Sequence, residues 1–141
     1  MTNAGNGDAV SFNTTGAVST TLGTAVAGYA NNGSINQVAI VRYLSDGTLD
    51  TSFNTTGYLL TNSGGTDSFL EAIAYANGKI YGAGYVTTSG QTNFAVIRLN
   101  SDGALDTTFH TDGMAMQSII SGSDSASSLV IQTDGKIVAG G

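Results

Sequence analysis

One segment of this chain returns 56 residues later almost unchanged, and that repetition constrains the fold more tightly than anything in the composition. LSDGTLDTSFNTTG runs from Leu44 to Gly57, and LNSDGALDTTFHTDG runs from Leu99 to Gly113. Asp46, Gly47, Leu49, Asp50 and Phe53 are matched by Asp102, Gly103, Leu105, Asp106 and Phe109. A degraded copy of this marker, DAVSFNTTG, spans Asp8 to Gly16. Self-similarity at a fixed period means one supersecondary unit stacked on its own copies, because a single unit cannot bury its apolar face alone.

The segments between markers read as strands. Copy one offers AVSTT from Ala17, TAVAGY from Thr24 and QVAIVRY from Gln37. Copy two offers YLLTN from Tyr58, EAIAYA from Glu71, KIYGAGYV from Lys79 and NFAVIRL from Asn93. Copy three offers MAMQS from Met114, SLVIQ from Ser128 and KIVAGG from Lys136. These runs are rich in β-branched and aromatic residues and are bounded by Gly, Asn, Asp and Ser. Asn77-Gly78 is a two-residue hairpin signal, replaced in copy three by Asp134-Gly135. No window sustains a helical apolar period, and residues 66 to 76 show only a faint one. The expected fold is therefore all-β, with tandem four-stranded antiparallel meanders in about two and a half repeats of 56 residues, arranged like propeller blades. The expected boundaries are a flexible lead-in at 1–7, repeat 1 at 8–52, repeat 2 at 53–108 and repeat 3 at 109–141. Phe12 and Phe53 are only 41 residues apart, so repeat 1 is expected to lack the strand equivalent to EAIAYA. Repeat 3 is expected to lack its last strand.

Two linked motifs carry a family resemblance. DG-x-LD-x-(S/T)-F followed by DGK-I-V-A-G-G, seen here as SDGTLDTSF, SDGALDTTF, NGKIYGAG and TDGKIVAGG, resembles the bacterial delta-60 repeat. The resemblance covers nearly all of the chain after residue 8. It implies a tandem, propeller-like repeat of bacterial secreted or surface proteins, and it brings no activity and no catalytic residues.

Charge narrows the function classes. Four Lys and Arg against ten Asp and Glu give a net charge of −6, which cannot build the basic groove that nucleic acid requires. The absence of Cys removes disulfides, thiolate metal sites and Cys nucleophiles. No apolar run approaches membrane-spanning length, and MTNAGNG has neither the positive nor the apolar region of a signal peptide. With 10% of residues charged, the surface is covered by Ser, Thr, Asn and Gly, which suits an extracellular or bacterial cell-surface β protein.

The charged residues recur with the repeat. Arg42 matches Arg98, Lys79 matches Lys136, Asp46 matches Asp102, Asp50 matches Asp106, and Asp67 matches Asp124. A catalytic group needed once has no reason to recur, whereas a residue that caps a turn does. Asp46-Gly47 and Asp102-Gly103 suit Asx-type turns, with Asp50 and Asp106 bonding the following segment or meeting the preceding Arg. The alternative is a calcium loop built on Asp46, Asp50, Asp102 and Asp106, but the spacing lacks the dense alternating acids of an EF-hand. His110 and Asp112 lie in a loop whose other copy has Asn54, and no nucleophile elbow accompanies them. No enzyme activity and no cofactor is expected. Tyr29 and Tyr85 hold equivalent places and are the best candidates for a glycan contact, set against a role in core packing.

Two and a half blades leave apolar sheet faces and edges open. The chain is therefore expected to assemble with itself into a ring or filament. In this reading the C-terminal strands, through Leu129, Val130, Ile131, Ile137 and Val138, complete the deficient sheet of a neighbour. The alternative is a carbohydrate- or protein-binding module.

Overall fold

A computed structural model describes residues 12–62 and 64–141, with the side chains of Phe12 and Asn13 left out. The lead-in at 1–7 lies outside the described residues. Ten strands follow one another: β1 (Phe12–Ser19), β2 (Thr24–Asn31), β3 (Asn36–Tyr43), β4 (Tyr58–Thr61), β5 (Asp67–Ala76), β6 (Lys79–Thr88), β7 (Gln91–Leu99), β8 (Met114–Gln117), β9 (Ser128–Ile131) and β10 (Ile137–Gly140). The described helical structure is one short 3-10 turn at Phe53–Thr55, and no helix there is long and apolar enough to cross a membrane.

The strands form an antiparallel sheet in the order β1-β2-β3-β4, a second in the order β5-β6-β7-β8, and a two-stranded sheet of β9 and β10. The first two are copies down to the register. Ala27 faces Ile40 as Ala83 faces Val96, and the bulge between Thr14 and Gly16 recurs between Leu70 and Ala72. This conserved irregularity bends the first strand of each sheet.

Three expectations need correction. The strand equivalent to EAIAYA is present in the first sheet: it is β1, whose bulge matches that of β5. YLLTN belongs to the first sheet, as β4 paired with β3, because the marker carries the chain straight back onto the strand it left. Each marker therefore lies inside a sheet, between its third and fourth strands. The Asp134-Gly135 hairpin is not a two-residue loop: Gln132 N–H bonds Lys136 O at 2.8 Å around three residues, with Gly135 left-handed at φ 84°. That is one residue longer than the Asn77-Gly78 turn, where Ala76 pairs directly with Lys79.

The two complete sheets pack face to face. Ala25, Ala27, Val38, Ile40 and Leu59 of the first meet Leu70, Ile80, Ala95, Ile97 and Leu99 of the second in one buried cluster. Alternation along β3 explains why its sequence reads as a continuous apolar run: Val38, Ile40 and Arg42 point into this interface, while Ala39 and Val41 build a smaller cluster on the opposite face. Gly82 leaves room for the side chains of its neighbouring strands on the inner face of the second sheet; a Cβ there would lie 2.7 Å from Leu70 Cδ1. Strand β5 packs against β1, β2 and β3, and β9 packs against β5, so the first strands of the three sheets run side by side as the inner strands of propeller blades do. The Thr15 hydroxyl at the first bulge donates to Leu70 O at the second and ties these inner strands together. The sheets do not close into a ring.

Candidate functional site

The repeated marker builds the joint between sheets. It begins as a three-residue turn: Leu44 N–H bonds Thr48 O at 2.8 Å and Gly47 N–H bonds Leu44 O at 3.0 Å. Asp46 Oδ1 accepts the Thr48 N–H and hydroxyl, which holds its carboxyl below the ordinary range. Asn100 to Ala104 repeats the turn, with Asp102 Oδ1 accepting the Ala104 N–H. Asp134 does the same for Lys136 N–H in the β9–β10 hairpin.

Past the turn, the chain reaches the Arg of the third strand. Arg42 Nε lies 2.7 Å from Asp50 Oδ2, and both side chains are buried. The Ser52 hydroxyl first, and then Arg42, lower the Asp50 carboxyl despite its burial. The Arg42 guanidinium sits 4.7 Å from the centre of the Phe53 ring and donates through Nη1 to Ser101 O, in the marker of the next repeat. Asn54 N–H donates to Asp102 O at 2.6 Å. Gly103 lies against the Phe53 ring, where a Cβ would come within 2.7 Å of Cδ2. The Ser101-Asp102-Gly103 turn of repeat two is thus seated on the Arg-Phe pair of repeat one.

Repeat two builds the same seat. Arg98 Nε is 2.8 Å from Asp106 Oδ2 and the guanidinium is 4.9 Å from the Phe109 ring centre. Lys79 adds a second cation at 2.8 Å, and with Thr108 it pulls the Asp106 carboxyl well below the usual carboxylate range. No described turn covers this seat: the Arg98 side chain is 22% exposed where that of Arg42 is 2%. His110 takes the left-handed backbone of Asn54, at φ 50° against 49°, a conformation for which both residue types are enriched. Its ring lies 3.5 Å from exposed Asp112 on the surface.

Residues 25–53 and 76–109 match the family model described as a domain of unknown function (DUF5122) β-propeller. Both matches end on the Phe of the joint. The two matched segments fall one on each copy of the repeat. No curated protein and no solved structure matches the chain.

In these repeats the four carboxylates weighed as calcium ligands all hold other partners: Asp46 and Asp102 cap turns, while Asp50 and Asp106 hold Arg and Lys. Among the described residues no three His, Cys, Asp or Glu gather as a metal site. Tyr29 and Tyr85 meet through Phe69, with ring centres 4.3 and 4.9 Å apart, at the end of the sheets opposite the markers. Burial first, then Glu71 and Asp67, push the Tyr85 hydroxyl up. In the third sheet, Leu129, Ile131 and Ile137 are half-buried, whereas Val130 and Val138, paired across the strands, are 61% and 50% exposed. The sequence reading missed Phe53, Phe109 and Gly103 as parts of the joint. Their signal was available in the fixed order Arg, Asp, Phe at 42, 50, 53 and again at 98, 106, 109.

Proposed function

We propose that the chain is a non-enzymatic structural module of the extracellular space or bacterial cell surface that assembles with further copies of itself, into a ring or filament, by completing its open sheet. One observation carries the reading. Val38, Ile40 and Arg42 are buried beneath the second sheet, whereas their equivalents Phe94, Val96 and Arg98 are only half-buried, because the third sheet contributes two strands where four would cover them. An apolar face of this kind favours burial against another protein surface. The low charge content supports the location. Because the first sheet already has four strands, the acceptor in this reading is the third sheet. Light scattering at two widely separated concentrations tests the proposal: a mass that grows with concentration is expected, and a monomer at both would end it.

A second reading rests on the Tyr29-Phe69-Tyr85 stack. Its half-buried rings lie near Asp67 and Glu71, an aromatic platform with acceptors that suits a sugar. Glycan-array binding lost in Tyr85→Ala, with assembly unchanged, would favour this reading; a blank array with folded protein would end it.

A further inference from the structure

The open third sheet has a particular shape to be filled. β10 has a single strand partner among the described residues, β9, and the place beside it is the one that β3 and β7 occupy in the complete sheets. A strand there would widen the third sheet over the face that carries Phe94 and Val96, as the second sheet covers Val38 and Ile40. Beside the end of β10 a groove of about 360 Å³, bounded by Phe94, Ile119, Ile120 and Gly141, opens on this same face. At the far end of that path stands the second Arg-Phe seat. Arg98 and Phe109 are already stacked, and His110 already has the backbone of Asn54, whose N–H bonds the incoming turn in the first joint. One guanidinium nitrogen of Arg98 rests on Thr108 Oγ1 at 3.1 Å, where Arg42 instead reaches the carbonyl of Ser101.

We propose that the open blade is a binding slot for one kind of segment: a third strand with its marker turn, taken from another copy of this repeat. The strand pairs antiparallel to the free edge of β10, and its Ser-Asp-Gly turn lands on Arg98 and Phe109, reproducing the contacts of Ser101 and Gly103 with Arg42 and Phe53. The edge supplies affinity that depends little on sequence, and the seat supplies register and specificity. A turn with a side chain in place of Gly is rejected because its Cβ strikes the ring, as it would at Gly103. The proposal deepens the assembly reading by naming the segment that completes the sheet.

The test uses the whole chain and a fluorescent peptide with the sequence of residues 91–109, titrated by anisotropy below the concentration at which the chain scatters as more than a monomer. Saturable one-to-one binding is expected. It should weaken roughly tenfold or more for a peptide carrying Gly103→Ala, whose Cβ meets the ring, and for a chain carrying Arg98→Ala, which removes a charge-assisted hydrogen bond. The altered peptide leaves the folded chain untouched, so it decides the question even if the Arg98 variant is damaged. No binding, or binding indifferent to the glycine, overturns the slot. Peptide binding by a chain that never self-associates upholds the slot and removes the assembly reading; assembly without peptide binding does the reverse.

Discussion

Arg42 and Arg98 are the same residue of the same repeat in different surroundings, and the difference predicts different costs. Arg42→Ala leaves Asp50 buried without its cation and Ser101 O without its donor, which should cost about 3–5 kcal/mol in denaturant unfolding. Arg98→Ala leaves Lys79 on Asp106 and should cost about 1 kcal/mol. Equal losses would contradict the joint. A second matched pair separates backbone from packing. Gly47→Ala and Gly103→Ala both place a side chain at φ near +85°, costing about 1–2 kcal/mol each. Only the second also drives a Cβ into Phe53, adding about 1–3 kcal/mol. The carboxylates set the pH response. Asp50 and Asp106 titrate below their ordinary 3.8 in the folded chain, so their contribution is complete above that value and is lost as the pH falls through the lower folded-state values. Asp106→Asn should be less stable than the parent at pH 7 and converge with it below pH 4, a trend read from unfolding curves across pH; parallel curves would contradict it.

At the scale of elements, most strands were legible because their composition and turn signals are local. QVAIVRY and NFAVIRL stand within β3 and β7, and Asn77-Gly78 turns between β5 and β6. The phase of the sheets was not legible. FNTTG occurs twice, and at Phe12–Gly16 it is extended within β1, whereas at Phe53–Gly57 it turns, with Asn54 at φ 49°. Nothing inside the pentapeptide distinguishes the two. Phe53 N–H bonds Asp50 O and its ring lies under Arg42, contacts that depend on residues outside it. Tertiary context thus overrides a local match. The same dependence predicts unequal core substitutions. Ile40→Ala, fully buried between the sheets, should cost about 2–5 kcal/mol. Val96→Ala, its half-buried counterpart, should cost about 1 kcal/mol in dilute solution. Comparable losses for both would mean that the second sheet is already covered.

For the molecule as a whole, the joint between repeats is made once and presented once more. The candidate site was only partly legible in the sequence: repetition showed that the charges were structural, but a seat for a turn 56 residues away is visible only once both copies stand in space. If further copies occupy the open seat, folding and association are linked, and the unfolding temperature should rise with protein concentration. Hydrogen exchange along β10 tests the claim most directly, because β9 is the single strand partner of β10 among the described residues. The account predicts that β10 amides exchange quickly in dilute solution and become protected as the protein is concentrated, while those of β3, paired on both sides, are protected throughout. Exchange along β10 at the same rate at every concentration, in a sample that has nonetheless assembled, would place the contact elsewhere and contradict it.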